Sequence, residues 1–521
     1  MPALPGLGDV IAAHARLFPD RVAASDLERA MTFSQWNARA CRLANALLGL
    51  GLSKGDRVAV LAYNAVEWLE IYAATAKAGL VMVPINFRLV APEVAYIVAD
   101  CGAAAMIVQD ALVGVVEEIG QDLPVPAGRY IHFGRDTPPA GFLGYEALLA
   151  RASVREPGVT ITAADTWALM YTSGTTGRPK GAIRSHGGSA ALSLVTDVEL
   201  SFSRRDTGLL VMPMCHANSL YFATSLAYCG AACRVYSRSS FDPEHALREL
   251  ASGPTFTSLV PTQYVMMLEI PGTVRDGLDT SRITKLMISS APARRETKQS
   301  VMAFFPNSGL YELYGSTEGG WVTMLQPEEQ LVKLGSVGRE CVGSRPIRLL
   351  GEDGKEVPDG EVGELYHCTP YTFDGYWNLP EKTAEAFRDG YCSVGDMARR
   401  DADGFLHLVD RKSNMIISGG ENIYPSEVEA VLGAHPAVRD VAVIGLPDAK
   451  WGERVQGVVV LKDGARTAEA ELVEWCRPKL AGYKRPRAVT IIAADDMPKT
   501  ATGKILHRLL KKKMLDMEPK P

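Results

Sequence analysis

Short apolar, Val/Ile-rich runs separated by helix-patterned segments recur through the first half of the chain. That alternation restricts the fold more than any other feature. Phe33, Trp36, Ala40, Leu43, Leu47 and Leu48 fall at helical spacing over residues 33–50, and Gly49 and Gly51 follow as a stop signal. Arg57-Val58-Ala59-Val60-Leu61 then reads as a buried strand, residues 65–78 as a helix and 80–84 as the next strand. Strand signals return at 104–108, 207–212, 233–236, 256–260 and 285–288. Such repeated β–α alternation predicts an α/β architecture of parallel sheets flanked by helices. A chain of 521 residues exceeds one hydrophobic core, so two or more domains are expected.

The texture changes after about residue 335, where Gly/Asp/Pro-punctuated segments such as 348–354 predict antiparallel hairpins. Beyond residue 413, segments 426–432 and 469–477 read as helices and 438–444 and 455–461 as strands. They amount to a small domain of roughly 110 residues. A hydrophobic fraction of 47% and a charged fraction of 22% are ordinary for a globular protein. A net charge of -5 gives no reason to expect nucleic acid or an anionic membrane as partner. The nine cysteines form no Cys-x-x-Cys cluster, which suits a reducing compartment and argues against structural zinc. The N-terminus lacks the basic region and apolar core of a signal peptide, and no run of about eighteen apolar residues occurs. A cytoplasmic protein without a membrane span is expected.

The apolar run Trp167-Ala168-Leu169-Met170 leads into Tyr171-Thr172-Ser173-Gly174-Thr175-Thr176-Gly177-Arg178-Pro179-Lys180-Gly181. A strand ending in such a loop exposes amides and hydroxyls that can wrap a polyphosphate. Glycine lets the backbone approach the anion, and Lys180 adds a mobile charge. The register is not that of a Walker A loop. Four further segments extend the pattern. Tyr314-Gly315-Ser316-Thr317-Glu318 offers an aromatic face and a carboxylate suited to Mg²⁺. Gly395-Asp396 offers a ribose acceptor. Asp410-Arg411-Lys412 precedes a glycine turn at Gly419-Gly420, and Pro498–Lys504 presents a lysine from a glycine-containing loop.

In this order and spacing, the segments resemble the adenylate-forming superfamily, in its acyl- and aryl-CoA synthetase branch, over residues 10–510. The resemblance implies a large N-terminal domain of parallel sheets plus a distorted β-barrel (1–412) and a small mobile α+β domain (413–521). ATP, Mg²⁺ and coenzyme A are the implied cofactors, with a homodimer left open. It casts Thr172, Ser173, Gly174, Thr175, Thr176, Gly177 and Lys180 as the phosphate loop. Ala291, Pro292, Glu312 and Tyr314 become the adenine site. Thr317 reaches the α-phosphate or carboxylate, Glu318 holds the metal, and Asp396 and Arg411 hold the ribose. Lys504 becomes the lysine of the first half-reaction, and Gly419-Gly420 the thioester-forming turn. Ser413 and Asn414 depart from the charged residues common at the family's hinge, and Val394 replaces a usual hydroxyl near the ribose site.

Met212-Pro213-Met214-Cys215-His216-Ala217-Asn218-Ser219-Leu220-Tyr221 resembles the acyl-pocket motif, with His216 gating. His216, Ala217, Tyr221, Ser290, Gly315, Gly320 and Trp321 are the implied pocket residues, Trp321 either closing the floor or packing outward. The segment lacks the aspartate of amino-acid-activating relatives, so a neutral wall predicts an apolar fatty-acyl or aryl/cinnamyl acid. No serine or cysteine nucleophile is assigned, at Cys215 or Ser316 or elsewhere. Adenylation followed by transfer to coenzyme A is the expected activity. An enzyme delivering the acyl group to a carrier protein and a non-enzymatic binding relative are the alternatives.

Overall fold

A computed structural model describes residues 4–120, 123–135, 137–172, 178–289, 293–418, 421–448, 450–500 and 503–517. The chain forms two compact units, one of residues 1–346 with 367–392 and one of 347–366 with 393–521.

The first unit contains two large sheets. In the seven-stranded sheet the order is Phe142–Gly144, Tyr130–Phe133, Ala105–Gln109, Arg57–Leu61, Val81–Ile85, Thr166–Thr172 and Lys180–Ser185. All neighbours run parallel except the last pair, an antiparallel return. In the nine-stranded sheet, six consecutive strands are parallel: Gly309–Ser316, Lys285–Ser289, Phe256–Leu259, Thr207–Leu210, Ala232–Val235 and Val22–Ser25. Antiparallel strands close both edges, among them Gly320–Leu325 beside Gly309–Ser316. Apolar residues on both faces of the central strands place them inside two cores. Val58 and Val60 enter one core while Ala59 and Leu61 enter the other, as a period-two strand requires.

The expected α/β alternation is present, with boundaries moved by local chemistry. Helix Phe33–Gly49 begins after Thr32, whose hydroxyl accepts from Gln35 N in a capping box. The expected helix from 65 begins at Glu67 and ends at Gly79, whose φ of 66° is the left-handed geometry of a helix stop. The strand expected over 207–212 ends at Leu210. There the carbonyls of Val211 and Met212 turn instead to Asn64 Nδ2 at 3.3 and 3.1 Å, which carries the chain out of the sheet.

In the second unit, Val438–Asp448 and Gly452–Leu461 form a long antiparallel pair flanked by Ile416–Ser418 and Ala488–Ile491. Val443, Val455 and Val459 pack with helices Pro425–Gly433 and Glu469–Cys476. Ala442, Ile444, Val458 and Val460 pack on the other face with Leu510 and Met514 of helix His507–Met517. The hairpins expected after residue 335 include the ladder of Val362–Glu364, Asp396–Arg400 and Leu406–Arg411. No helix among the described residues is long and apolar enough to cross a membrane.

Candidate active site

The carboxyl ends of parallel strands are where open α/β sheets bind ligands. Strand Gly309–Ser316 ends there and returns through the turn Thr317-Glu318-Gly319 into Gly320–Leu325. The turn is tight because Gly320 adopts φ 66° and Gly315 approaches its neighbour closely. A Cβ on Gly315 would lie 2.2 Å from the Gly320 carbonyl oxygen. Ser316 Oγ accepts from Gly319 N at 2.8 Å.

Glu318 is buried, and its Oε1 accepts from the Tyr376 hydroxyl at 2.9 Å and from Thr172 Oγ1 at 3.4 Å. The structure therefore joins three sequence-predicted residues. Thr172 and Lys180 face each other across the final rung of an antiparallel pair, and the Lys180 ammonium lies 4.0 Å from the centroid of the Tyr376 ring. Burial lowers the Lys180 pKa from the ordinary lysine value, with Glu318 opposing that shift and Lys382 adding to it. Ser173, Gly174, Thr175, Thr176 and Gly177 of the phosphate loop lie outside the described residues. So do Ser290, Ala291, Pro292, Gly419 and Gly420.

An all-oxygen setting around one carboxylate suits Mg²⁺, which takes one or two protein carboxylates and fills its shell with water and phosphate oxygens. Among the described residues no cluster of three or more His, Cys, Asp or Glu is placed to hold a metal. A cation at Glu318 would thus share its shell with a phosphate ligand.

Glu312 and Tyr314 lie two apart on one strand and so point to the same face. Both are buried, and the Glu312 carboxylate is engaged by Lys298 in a buried ion pair. Burial raises the Glu312 pKa and Lys298 opposes it.

At the expected acyl pocket, His216 caps helix Ala217–Cys229. Its Nε2 is buried without a hydrogen-bond partner among the described residues. Burial, helped by the positive charge of Arg88, pushes its pKa down to about 4, so it is neutral at pH 7. Ala217 follows in the first turn. Asn218 Nδ2 donates to Ser258 Oγ and Ser289 Oγ, both at 2.9 Å. Trp321 is buried rather than packed outward. It packs on Tyr221 and Phe222 and donates from Nε1 to Thr196 Oγ1 at 2.8 Å. Gly320 is closed in by the Tyr371 ring, 2.6 Å from where a Cβ would sit. Tyr221 lies beneath the turn, its hydroxyl donating to the Thr317 carbonyl at 3.4 Å. Cys215 is buried and its thiol is pushed up to about 12, the state of an inert side chain rather than a nucleophile.

In the second unit, Asp396 and Arg411 are cross-strand partners, with Arg411 Nε 3.0 Å from Asp396 Oδ1. Lys504 follows Gly503, whose φ of 82° shapes a turn closed by Thr500 N donating to Lys504 O and Lys504 N donating to Thr500 Oγ1. The residue as a whole is exposed. Crowding around the ammonium, with Arg411's charge, lowers the Lys504 pKa against the opposing pull of Asp396 and Asp410. Sequence reasoning missed Tyr376 and Arg184. The aromatic run Tyr371-Thr372-Phe373-Asp374-Gly375-Tyr376-Trp377 was the available signal for the first.

The parallel sheets, the carboxylate turn and the presented lysine define an adenylate-forming enzyme fold. The chain belongs to the AMP-binding enzyme family: that family's profile matches residues 11–377, and the profile of the AMP-binding enzyme C-terminal domain matches 427–504. It is 37% identical to a feruloyl-CoA synthase of Amycolatopsis over 509 residues, covering 96% of this chain and 97% of that protein. It is 36% identical to a long-chain-fatty-acid–CoA ligase of Mycobacterium tuberculosis, covering 94% of each. The structure is similar to that of O-succinylbenzoate coenzyme A synthetase from Bacillus subtilis in complex with ATP and magnesium ion. The TM-score is 0.84 at 27% identity, covering 96% of this chain and 99% of that one.

Proposed function

We propose that this chain is an ATP-dependent, AMP-forming acid:CoA ligase acting on an apolar fatty-acyl or aryl acid. One observation carries the reading: a buried Glu318 carboxylate, held by Tyr376 and Thr172 on a tight strand-end turn, with the Lys180 ammonium seated over the same tyrosine. The likeness to ligases named for feruloyl and long-chain fatty-acyl substrates supports it.

A carboxylate is a poor acyl donor because its leaving group would be oxide. Attack of the carboxylate oxygen on the α-phosphorus of ATP forms an acyl–AMP mixed anhydride and releases pyrophosphate. The coenzyme A thiol then attacks the acyl carbonyl, losing its proton, and AMP leaves. Two anions must meet in the first step, so the protein's part is to supply fixed and mobile positive charge rather than a covalent nucleophile. Mg²⁺, held at Glu318, would screen the phosphates. Lys180 and the 172–177 loop bind the phosphates, Thr317 orients the α-phosphate or carboxylate, and Asp396 with Arg411 holds the ribose. Ala291, Pro292, Glu312 and Tyr314 form the adenine site. Lys504 stabilises the first transition state. Residues 413–521 act as a mobile lobe, presenting Lys504 for adenylation and the Gly419-Gly420 turn for thioester formation.

Neutral His216 gates a pocket whose motif, residues 212–221, carries no carboxylate, and Ala217, Tyr221, Ser290, Gly315, Gly320 and Trp321 complete its wall. The free state of all nine cysteines supports a reducing, cytoplasmic setting. The test is pyrophosphate release over a panel of fatty and aryl acids, with and without coenzyme A. Acid-dependent release coupled to acyl-CoA formation is expected. Sustained AMP release with no acyl-CoA formed, or no release with any acid, would reject the assignment.

A further inference from the structure

Arg184 is a guanidinium with almost no access to water, at 1% exposure. It sits on strand Lys180–Ser185, where alternate residues Lys180, Ala182 and Arg184 share one face. Its Nη1 donates to the carbonyls of Thr317 at 3.3 Å and Glu318 at 3.2 Å, and its Cζ lies 5.3 Å from the centroid of the Tyr221 ring. Nε and Nη2 have no hydrogen-bond partner among the described residues. The carboxylate of Glu318 is engaged elsewhere, by Tyr376 and Thr172.

Burying a charge on these terms is costly, and closing the turn does not require it. Neutral donors already serve the same carbonyls: the Tyr221 hydroxyl for Thr317 and the Phe373 amide, at 2.8 Å, for Glu318. Thr369 Oγ1 holds the third carbonyl of the turn, that of Gly319, at 3.1 Å. Among the described residues that bond these carbonyls, Arg184 alone bridges two consecutive ones and alone brings a positive charge.

We infer that Arg184 is a positioning residue for the adenylation step. It pins the backbone that carries Thr317 and Glu318, and it places an unchanging cation beneath the point where acid and triphosphate meet. It touches no reacting atom and acts through the turn. The strand that holds it thus brings two cations toward the turn from one face: Lys180 over the Tyr376 ring and Arg184 on the Thr317 and Glu318 carbonyls. The inference rests on the ligase reading and adds a residue to it. Lysine is an imperfect replacement, because it lacks the planar guanidinium that lies by the Tyr221 ring and its rotatable ammonium is not fixed at the Nη1 position.

The experiment compares the full-length wild type with Arg184→Met and Arg184→Lys in two assays. The first is acid-dependent ATP–pyrophosphate exchange across a Mg²⁺ titration, using the best acid of the panel. The second is acyl-CoA formation from the chemically prepared adenylate of that acid. For Arg184→Met, exchange is expected to fall by about 10²-fold, the scale of an ångström-sized misplacement. The Mg²⁺ concentration for half-activation should rise severalfold, while thioester formation stays within about twofold of wild type. Arg184→Lys should fall between the two. Should Arg184→Met prove insoluble, the same pattern in Arg184→Lys decides the matter. Equal losses in both assays, or an unchanged Mg²⁺ requirement in each soluble variant, would overturn the positioning role. Absence of exchange in the wild type with every acid would instead overturn the ligase reading, and this inference with it.

Discussion

The Thr317–Gly319 turn and the Lys504 loop are both short, glycine-shaped returns that display one charged side chain, yet they are built on opposite principles. At the turn, every carbonyl from Thr317 to Gly319 has a donor, and the Glu318 carboxylate is buried among hydroxyls. At the Lys504 loop, the described hydrogen bonds close the backbone through Thr500, and the residue as a whole is exposed. A group that must hold a cation in one place gains from being immobilised beforehand. A group proposed to act in only one half of a reaction needs a tethered base, and at Lys504 the ammonium at its tip sits among charged neighbours. The difference separates a scaffolded carboxylate from a presented lysine.

The largest test of that division is Lys504→Ala. It should lower acid-dependent ATP–pyrophosphate exchange by about 10²–10³-fold while sparing thioester formation from pre-made adenylate. Equal loss in both halves would erase the distinction. Glu318→Gln keeps the hydrogen-bonding shape and removes the charge. It should cost about 10²-fold in exchange, with partial recovery at high Mg²⁺ in a metal titration. Gly315→Ala forces a methyl against the Gly320 carbonyl and should destabilise the first unit by about 1–3 kcal/mol, read as a lowered melting temperature. An unchanged melting temperature would mean the turn is softer than its geometry. Tyr376→Phe removes one hydrogen bond to a carboxylate, worth about 1.5–3 kcal/mol, and should weaken exchange by about tenfold without altering acid KM.

The smallest effect is a pH limb. The Lys504 pKa is lowered, by desolvation first and by Arg411 second. The ammonium is the active form, so exchange should fall as pH rises through a value below that of an ordinary lysine. Lys504→Arg stays charged across this range. Its pH–rate profile should therefore lose that alkaline fall, whatever its absolute rate.

Strand and helix alternation was readable because Val/Ile runs such as Val58-Ala59-Val60-Leu61 bury both faces and leave no competing pattern. Ends were less readable. Leu210 ends its strand because Asn64, far away in sequence, takes the next carbonyls. The same holds at the site. Thr172, Lys180 and Glu318 could be named from their local motifs. Arg184 reaches Thr317 across 133 residues, and Tyr376 reaches Glu318 across 58. Neither pairing has a local signature. Each depends on how the 367–392 segment and the antiparallel edge strand return to the turn. Trp321 is a further case: its position left open a pocket floor or an outward packing, and its burial against Phe222 and Thr196 is set by two helices distant in sequence.

The rung pairing Thr172 with Lys180 encloses the seven residues from 173 to 179. A segment clamped at both ends by one ladder can be exchanged in composition, or lengthened at modest entropic cost, without shifting where the flanking residues stand. Under the proposed function, affinity for the nucleotide's anionic tail can then be sought in that stretch. Directed evolution or grafting can rewrite that stretch while the enclosing strands go on delivering their side chains to the same coordinates.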